Sequence, residues 1–146
     1  MTMEDPYDLR RFVTAQDRGG TYDQAIAELR SGRKASHWLW FVFPQIAGLG
    51  HSHASAKFAI CGLDEARAYL AHPVLGPRLT EAASILIQTR GSTAEQILGG
   101  LDAQKLRSCM TLFLRAAPGE PTFGRVLTQY FGGLPDPATD RLLQTI

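Results

Sequence analysis

Thr21-Tyr-Asp-Gln-Ala-Ile-Ala-Glu-Leu-Arg-Ser-Gly32 is the stretch that decides the fold class. Tyr22, Ala25, Ile26 and Leu29 recur at three- and four-residue steps, which places them on one face of an α-helix, and Gly32 is the residue type that most easily ends one. Thr21 followed by Gln24 has the form of a capping box, in which each side chain satisfies a free backbone amide of the first turn. The same signals continue on both sides. Leu9, Phe12, Val13 and Gln16 predict a helix opening after Pro6 and closing before Gly19 and Gly20.

Downstream, Asp64 is positioned to cap a helix carrying Ala66, Tyr69 and Leu70, which stops at His72 because Pro73 disfavours helical geometry before it. Leu75, Leu79, Ala82, Ala83 and Leu86 form the stripe of a longer helix running toward Gly91. Ser92 with Glu95 predicts a second capping box, and Asp102 a cap for the helix whose inward stripe is Leu106, Cys109, Met110 and Phe113. Thr122 opens a helix through Val126, Leu127 and Tyr130 to Gly132, and Asp136 with Pro137 reads as an N-cap followed by proline at the first helical position. Period-two alternation and hairpin turns are nearly absent. The prediction is an all-α, mainly helical, multi-helix bundle with at most a short strand pair.

With 146 residues and no repeat, linker or low-complexity tract, the chain is expected to be a single domain over 1–146, its ordered core beginning at about residue 8. A formal net charge of +1 supplies no long-range field, so neither nucleic acid nor a membrane surface is an expected partner. Cys61 and Cys109 lie far apart among apolar neighbours and read as two buried, reduced thiols. Met1 to Asp8 lacks the pattern of a signal peptide, and the longest strongly apolar run, Trp38 to Phe43, is far short of the ~20 residues that span a bilayer. A soluble, cytoplasmic protein is expected.

One segment departs from the helical pattern: Gly32-Arg-Lys-Ala-Ser-His-Trp-Leu-Trp-Phe-Val-Phe-Pro-Gln-Ile-Ala-Gly-Leu-Gly-His-Ser-His-Ala-Ser55. Its centre is apolar on every face and is expected to be buried, either as a short helix capped by Ser36 or as a strand. Polar groups and glycines bracket that centre, the composition from which ligand pockets are built. The candidate ligand-binding residues of the segment are Lys34, Ser36, Trp38, Trp40, Gln45, Gly48, Gly50 and Ser52. Candidate acid/base groups are His37, beside Trp38, and Glu28, near the end of the preceding helix and within reach of Arg33 or Lys34. Gly48-Leu-Gly50 offers close backbone approach but lacks a full phosphate-loop pattern.

Outside the segment, His72 and Arg78 flank a helix break where an anion would meet both. Asp102, Lys105, Ser108 and Thr111 make a polar stripe that is either a solvated face or, laid against the aromatic segment, a source of charge and hydroxyls for a pocket. His51-Ser-His53 has a spacing that ligates metals, but no third or fourth ligand stands nearby. Neither a metal nor another cofactor is expected.

Four stretches, Lys34 to Gln45, Gly48 to Ser52, His72 to Leu79 and Asp102 to Phe113, together resemble the small bacterial helical family known as domain of unknown function 1810, over Asp8 to Leu143. Cys109 stands where a second serine is common in that family and Phe58 where tyrosine is common. The family carries no established activity. The name calpastatin given to some members does not fit, since calpastatins are long disordered inhibitors and this composition is globular. A looser likeness of plan to helical domains that bind or hydrolyse NAD and ADP-ribose derivatives, which combine a helical Glu with a buried Trp and a Lys, makes those ligands the first to test.

Two functional readings follow. In the first, a nucleotide or ADP-ribose-like anion is held by Lys34 and Arg78, with His37 or Glu28 as acid/base and Trp38 or Trp40 stacking on the base. In the second, the chain is a non-enzymatic interaction module whose exposed aromatics form a protein-binding patch.

Overall fold

The computed structural model describes residues 4–145, and 67% of the chain is helical. The elements are α1 (Arg10–Asp17), a 3-10 turn (Arg18–Gly20), α2 (Thr21–Ser31), α3 (Leu39–Val42), α4 (His53–Lys57), α5 (Leu63–Ala71) and α6 (Leu75–Gln88). They continue with α7 (Ala94–Leu98), α8 (Gly100–Ala116), α9 (Pro121–Phe131) and α10 (Pro137–Gln144). Among the described residues strand pairing is confined to one parallel bridge between Ile46 and Ile60. No helix of the described residues is long and apolar enough to cross a membrane.

The centre is α8, which packs against α5, α7, α9 and α10, while α6 joins α5 to α9 and α2, and α1 sits against α2 and α3. Its stripe of Leu106, Cys109, Met110 and Phe113 is fully buried, as the 3.6-residue period predicted. Aromatic rings carry the core across the helices. Phe12 of α1 meets Tyr69 of α5 edge-on at 5.1 Å, Tyr69 meets Phe113 of α8 at 5.4 Å, and Phe113 meets Phe123 of α9 at 5.8 Å. Around Tyr69, Gln16 donates both to its hydroxyl, at 3.3 Å, and to the Phe41 carbonyl, at 2.7 Å, so the core polar groups also fasten α3 to α1.

Helix positions follow the sequence pattern better than helix caps do. Thr21 is already inside α2 and its hydroxyl turns back to the Arg18 carbonyl, while Gln24 donates to Glu28, so no capping box forms there. The second box lies one residue later than Ser92 and Glu95, between Thr93 and Gln96. Asp64 caps nothing: α5 starts behind Gly62, and the Cys61 amide donates to Glu65 instead. Ser36 does not cap α3, whose N-cap is Trp38, and Asp102 lies in the first turn of an α8 that begins at Gly100. Asp136 does cap α10, accepting the Thr139 amide at 3.0 Å.

The thiols differ from the expectation of two buried cysteines. Cys109 is buried, but Cys61 is exposed, because it precedes α5 on a turn instead of lying within a helix stripe. Local burial and the neighbouring Glu65 carboxylate push the Cys61 thiol above its ordinary value. A thiol reagent at neutral pH is therefore expected to modify Cys61 alone in the native protein, more slowly than a free cysteine, with Cys109 reacting only after denaturation. Mass spectrometry showing early modification at Cys109 would contradict the packing of α8.

Candidate functional site

The chain turns sharply out of α2 because Gly32 takes a left-handed conformation (φ 81). Its amide bonds the Leu29 carbonyl at 3.0 Å and the next amide, Arg33, reaches the Glu28 carbonyl at 3.1 Å, a Schellman ending. The chain then passes back over the Glu28 side chain. One carboxylate oxygen accepts the Ala35 amide at 2.7 Å, the Ser36 amide at 3.0 Å and the Trp38 indole N–H at 2.8 Å. The other accepts the Ser36 hydroxyl at 2.6 Å and the Gln24 amide at 3.0 Å. Burial alone would raise the pKa of this carboxyl, but the bonds from Ser36, Ala35 and Trp38 outweigh it and hold the group at about 2. Glu28 is thus ionised at neutral pH and its acceptor positions are occupied by the fold.

Lys34 does not pair with Glu28. Its ammonium reaches Asp102 of α8 at 2.8 Å, with its side chain only 9% exposed, and lies 5.2 Å from the centre of the Trp38 ring. Lys105 approaches the same carboxylate at 3.5 Å and stands 4.9 Å over the Trp40 ring. The upper half of the α8 polar stripe therefore meets the aromatic segment. The lower half is not solvated either: Ser108 and Thr111 are buried, the Ser108 hydroxyl donating to the Asp136 carboxylate at 3.1 Å and the Thr111 hydroxyl accepting the Asp136 amide at 2.8 Å.

The remaining sequence candidates divide between two concavities and the scaffold. Trp40, Gln45, Gly48 and Gly50 line a cavity of about 210 Å³ together with Ser55 and Phe58. The Trp40 indole N–H is buried with no hydrogen-bond partner among the described residues. Gly50 is needed where it is, because a Cβ there would overlap Ser55 of α4. Ser52 caps α4 through the Ser55 amide at 3.0 Å. His72 caps its own turn, Nδ1 accepting the Val74 and Leu75 amides at 3.1 and 3.3 Å, and Arg78 is tied to Asp17 at 2.8 Å and to Gln16 at 3.1 Å. His51 and His53 are exposed, and no group of three or more His, Cys, Asp or Glu that could hold a metal comes together among the described residues.

His37 is exposed and lines a second, larger groove of about 490 Å³. Here the structure gathers residues that the sequence reading did not place in a site: Asp8, Arg10, Arg11, Thr14 and Arg18 from α1 and its flanks, Thr21 from α2, Phe41 from α3, and Lys57 from α4. Arg11 is committed to the fold, donating to the Tyr7, Asp8, Lys57 and Ala59 carbonyls and pairing with Glu65 at 2.9 Å. Arg10, Arg18 and Lys57 form no ion pair among the described residues. A partial signal for this groove was available, since Arg11 precedes Arg18 by seven residues, about two helical turns. A net charge of +1 hid it, because composition averages over a cluster that only docking creates.

The fold and groove define an all-helical protein with a cationic, partly aromatic surface recess. The chain belongs to the family described as protein of unknown function (DUF1810), whose model matches residues 6–143. It is similar in structure to the conserved hypothetical protein Rv1873 from Mycobacterium tuberculosis, with a TM-score of 0.93 and 47% sequence identity over 96% of this chain and 99% of that one. No curated protein matches it.

Proposed function

We propose that the groove bordered by α1, the Arg18–Gly20 turn, Phe41 and Lys57 binds a small phosphate-bearing anion of nucleotide or ADP-ribose type. The observation that carries this reading is three cations, Arg10, Arg18 and Lys57, without acidic partners among the described residues, converging on one concavity. Cations gathered on one recess raise its potential, and an anion bound there lowers that energy while gaining charge-assisted hydrogen bonds. Phe41, held through its carbonyl by Gln16, gives the groove an aromatic wall against which a base would pack, and His37 lines the same groove. On this reading Glu28, Lys34, Ser36, Trp38 and Asp102 belong to the scaffold that sets the aromatic segment in place. The phosphate-holding role assigned in the sequence to Lys34 and Arg78 passes to Arg18 and Lys57.

Isothermal titration calorimetry with ADP and ADP-ribose tests it. Saturable binding that weakens with added salt is expected, and the double variant Arg18→Ala with Lys57→Ala should weaken it by a factor of about 100 while leaving the melting temperature nearly unchanged. Absence of binding by the parent protein at millimolar ligand, or equal binding by the double variant, would refute the groove as the site.

A further inference from the structure

Among the acidic side chains, Asp8 is the one that lines the cationic groove, and its backbone shows why it is there. It is the non-glycine residue with a left-handed conformation among the described residues, at φ 51. That conformation is costly for most side chains and tolerated by Asp and Asn. Three bonds hold it: the Asp8 amide donates to the Asp5 carbonyl at 3.0 Å, and the Asp8 carbonyl accepts from the Arg11 amide at 3.2 Å and from the Arg11 guanidinium at 2.9 Å.

An aspartate just ahead of a helix usually serves as its cap, but that task is taken. Asp5 accepts the Leu9 and Arg10 amides at 2.8 and 3.0 Å, and the Asp8 carboxylate forms no hydrogen bond and no ion pair among the described residues. A carboxylate carried on a held backbone thus lines a recess that also holds Arg10, Arg18 and Lys57, where for a bare phosphate it is a source of repulsion. For a ligand carrying hydroxyls beside its phosphate it is an acceptor, of the kind that carboxylates provide to ribose diols.

We infer that Asp8 is a specificity-determining residue of the groove, accepting hydrogen bonds from the sugar hydroxyls of a nucleotide-like ligand and disfavouring bare polyphosphates. This inference rests on the anion-binding reading of the groove. Its test compares ADP, 2′-deoxy-ADP and inorganic pyrophosphate by calorimetry on the parent protein and on Asp8→Asn, a variant that keeps the tolerance for left-handed backbone. The parent is expected to bind ADP about tenfold tighter than 2′-deoxy-ADP, and the variant to lose most of that ratio while binding pyrophosphate several-fold tighter. Equal melting temperatures would place the change in recognition instead of folding. If the parent binds these anions but the ratios are the same in the variant, the role of Asp8 is overturned and the groove reading stands. If the parent binds none of the three, both fall.

Discussion

Replacing Glu28 with alanine is expected to destabilise the protein by about 3 to 5 kcal/mol, the largest effect of any single polar substitution in the aromatic segment and its supports. The substitution strands the Trp38 indole N–H in a fully buried site, and leaves the Ala35 and Ser36 amides without the acceptor that orders the turn after Gly32. Part of the loss is recovered by water at the more exposed amides. Glu28→Gln keeps the shape but offers one acceptor oxygen in place of two, and should cost about half as much. The pH dependence separates the charge from the shape. The carboxyl sits at about 2 in the folded protein against an ordinary value of 4.5, so its stabilising contribution is complete above pH 4.5 and is lost as pH falls from there toward 2. Urea midpoints of the parent and of Glu28→Gln should therefore differ most at neutral pH and converge below pH 4. A difference that stays constant from pH 7 to 3 would show that the carboxylate is not held as described.

Gly76→Ala is expected to cost about 3 kcal/mol or more and to lower the melting temperature by roughly 10 °C. Gly76 is buried in the first turn of α6, where a Cβ would overlap the Leu70 carbonyl oxygen and lie 2.9 Å from the Leu70 carbonyl carbon. The obstacle is backbone, which cannot rotate away as a side chain would, so the end of α5 must retreat from α6 and reopen the packing around Tyr69 and Leu75. Gly124→Ala is the control. It lies inside α9, where among the described residues the added methyl would meet only Leu114 at an ordinary 3.7 Å, and replacing a helical glycine there should stabilise by about 0.5 to 1 kcal/mol. Similar melting temperatures for the two variants would refute the claim that close α5–α6 approach selects glycine at 76.

These cases mark how far the residues themselves could be read. The stripes of α1, α2, α6 and α8 were legible because helical hydrogen bonds are local and burial repeats with the helix period. The ends of the helices were less so. A threonine ahead of a glutamine has the form of a capping box in both Thr21-Gln24 and Thr93-Gln96, yet only the second forms, since the first pair is drawn to Arg18 and Glu28. The aromatic segment was recognised as buried, and Trp38, Leu39, Val42 and Phe43 are buried, but its polar flanks were read as one pocket when the structure divides them.

By itself, then, the order of residues determined an all-helical chain, the helix carrying Glu28, and the burial of the segment after it. Only the tertiary structure decided that Glu28 meets Trp38 while Lys34 meets Asp102, and that Arg10, Arg18, His37 and Lys57 share a groove. Periodicity says which face of a helix turns inward. It does not say which distant element that face will meet, and a charged side chain takes its role from the partner that docking brings within a few ångströms.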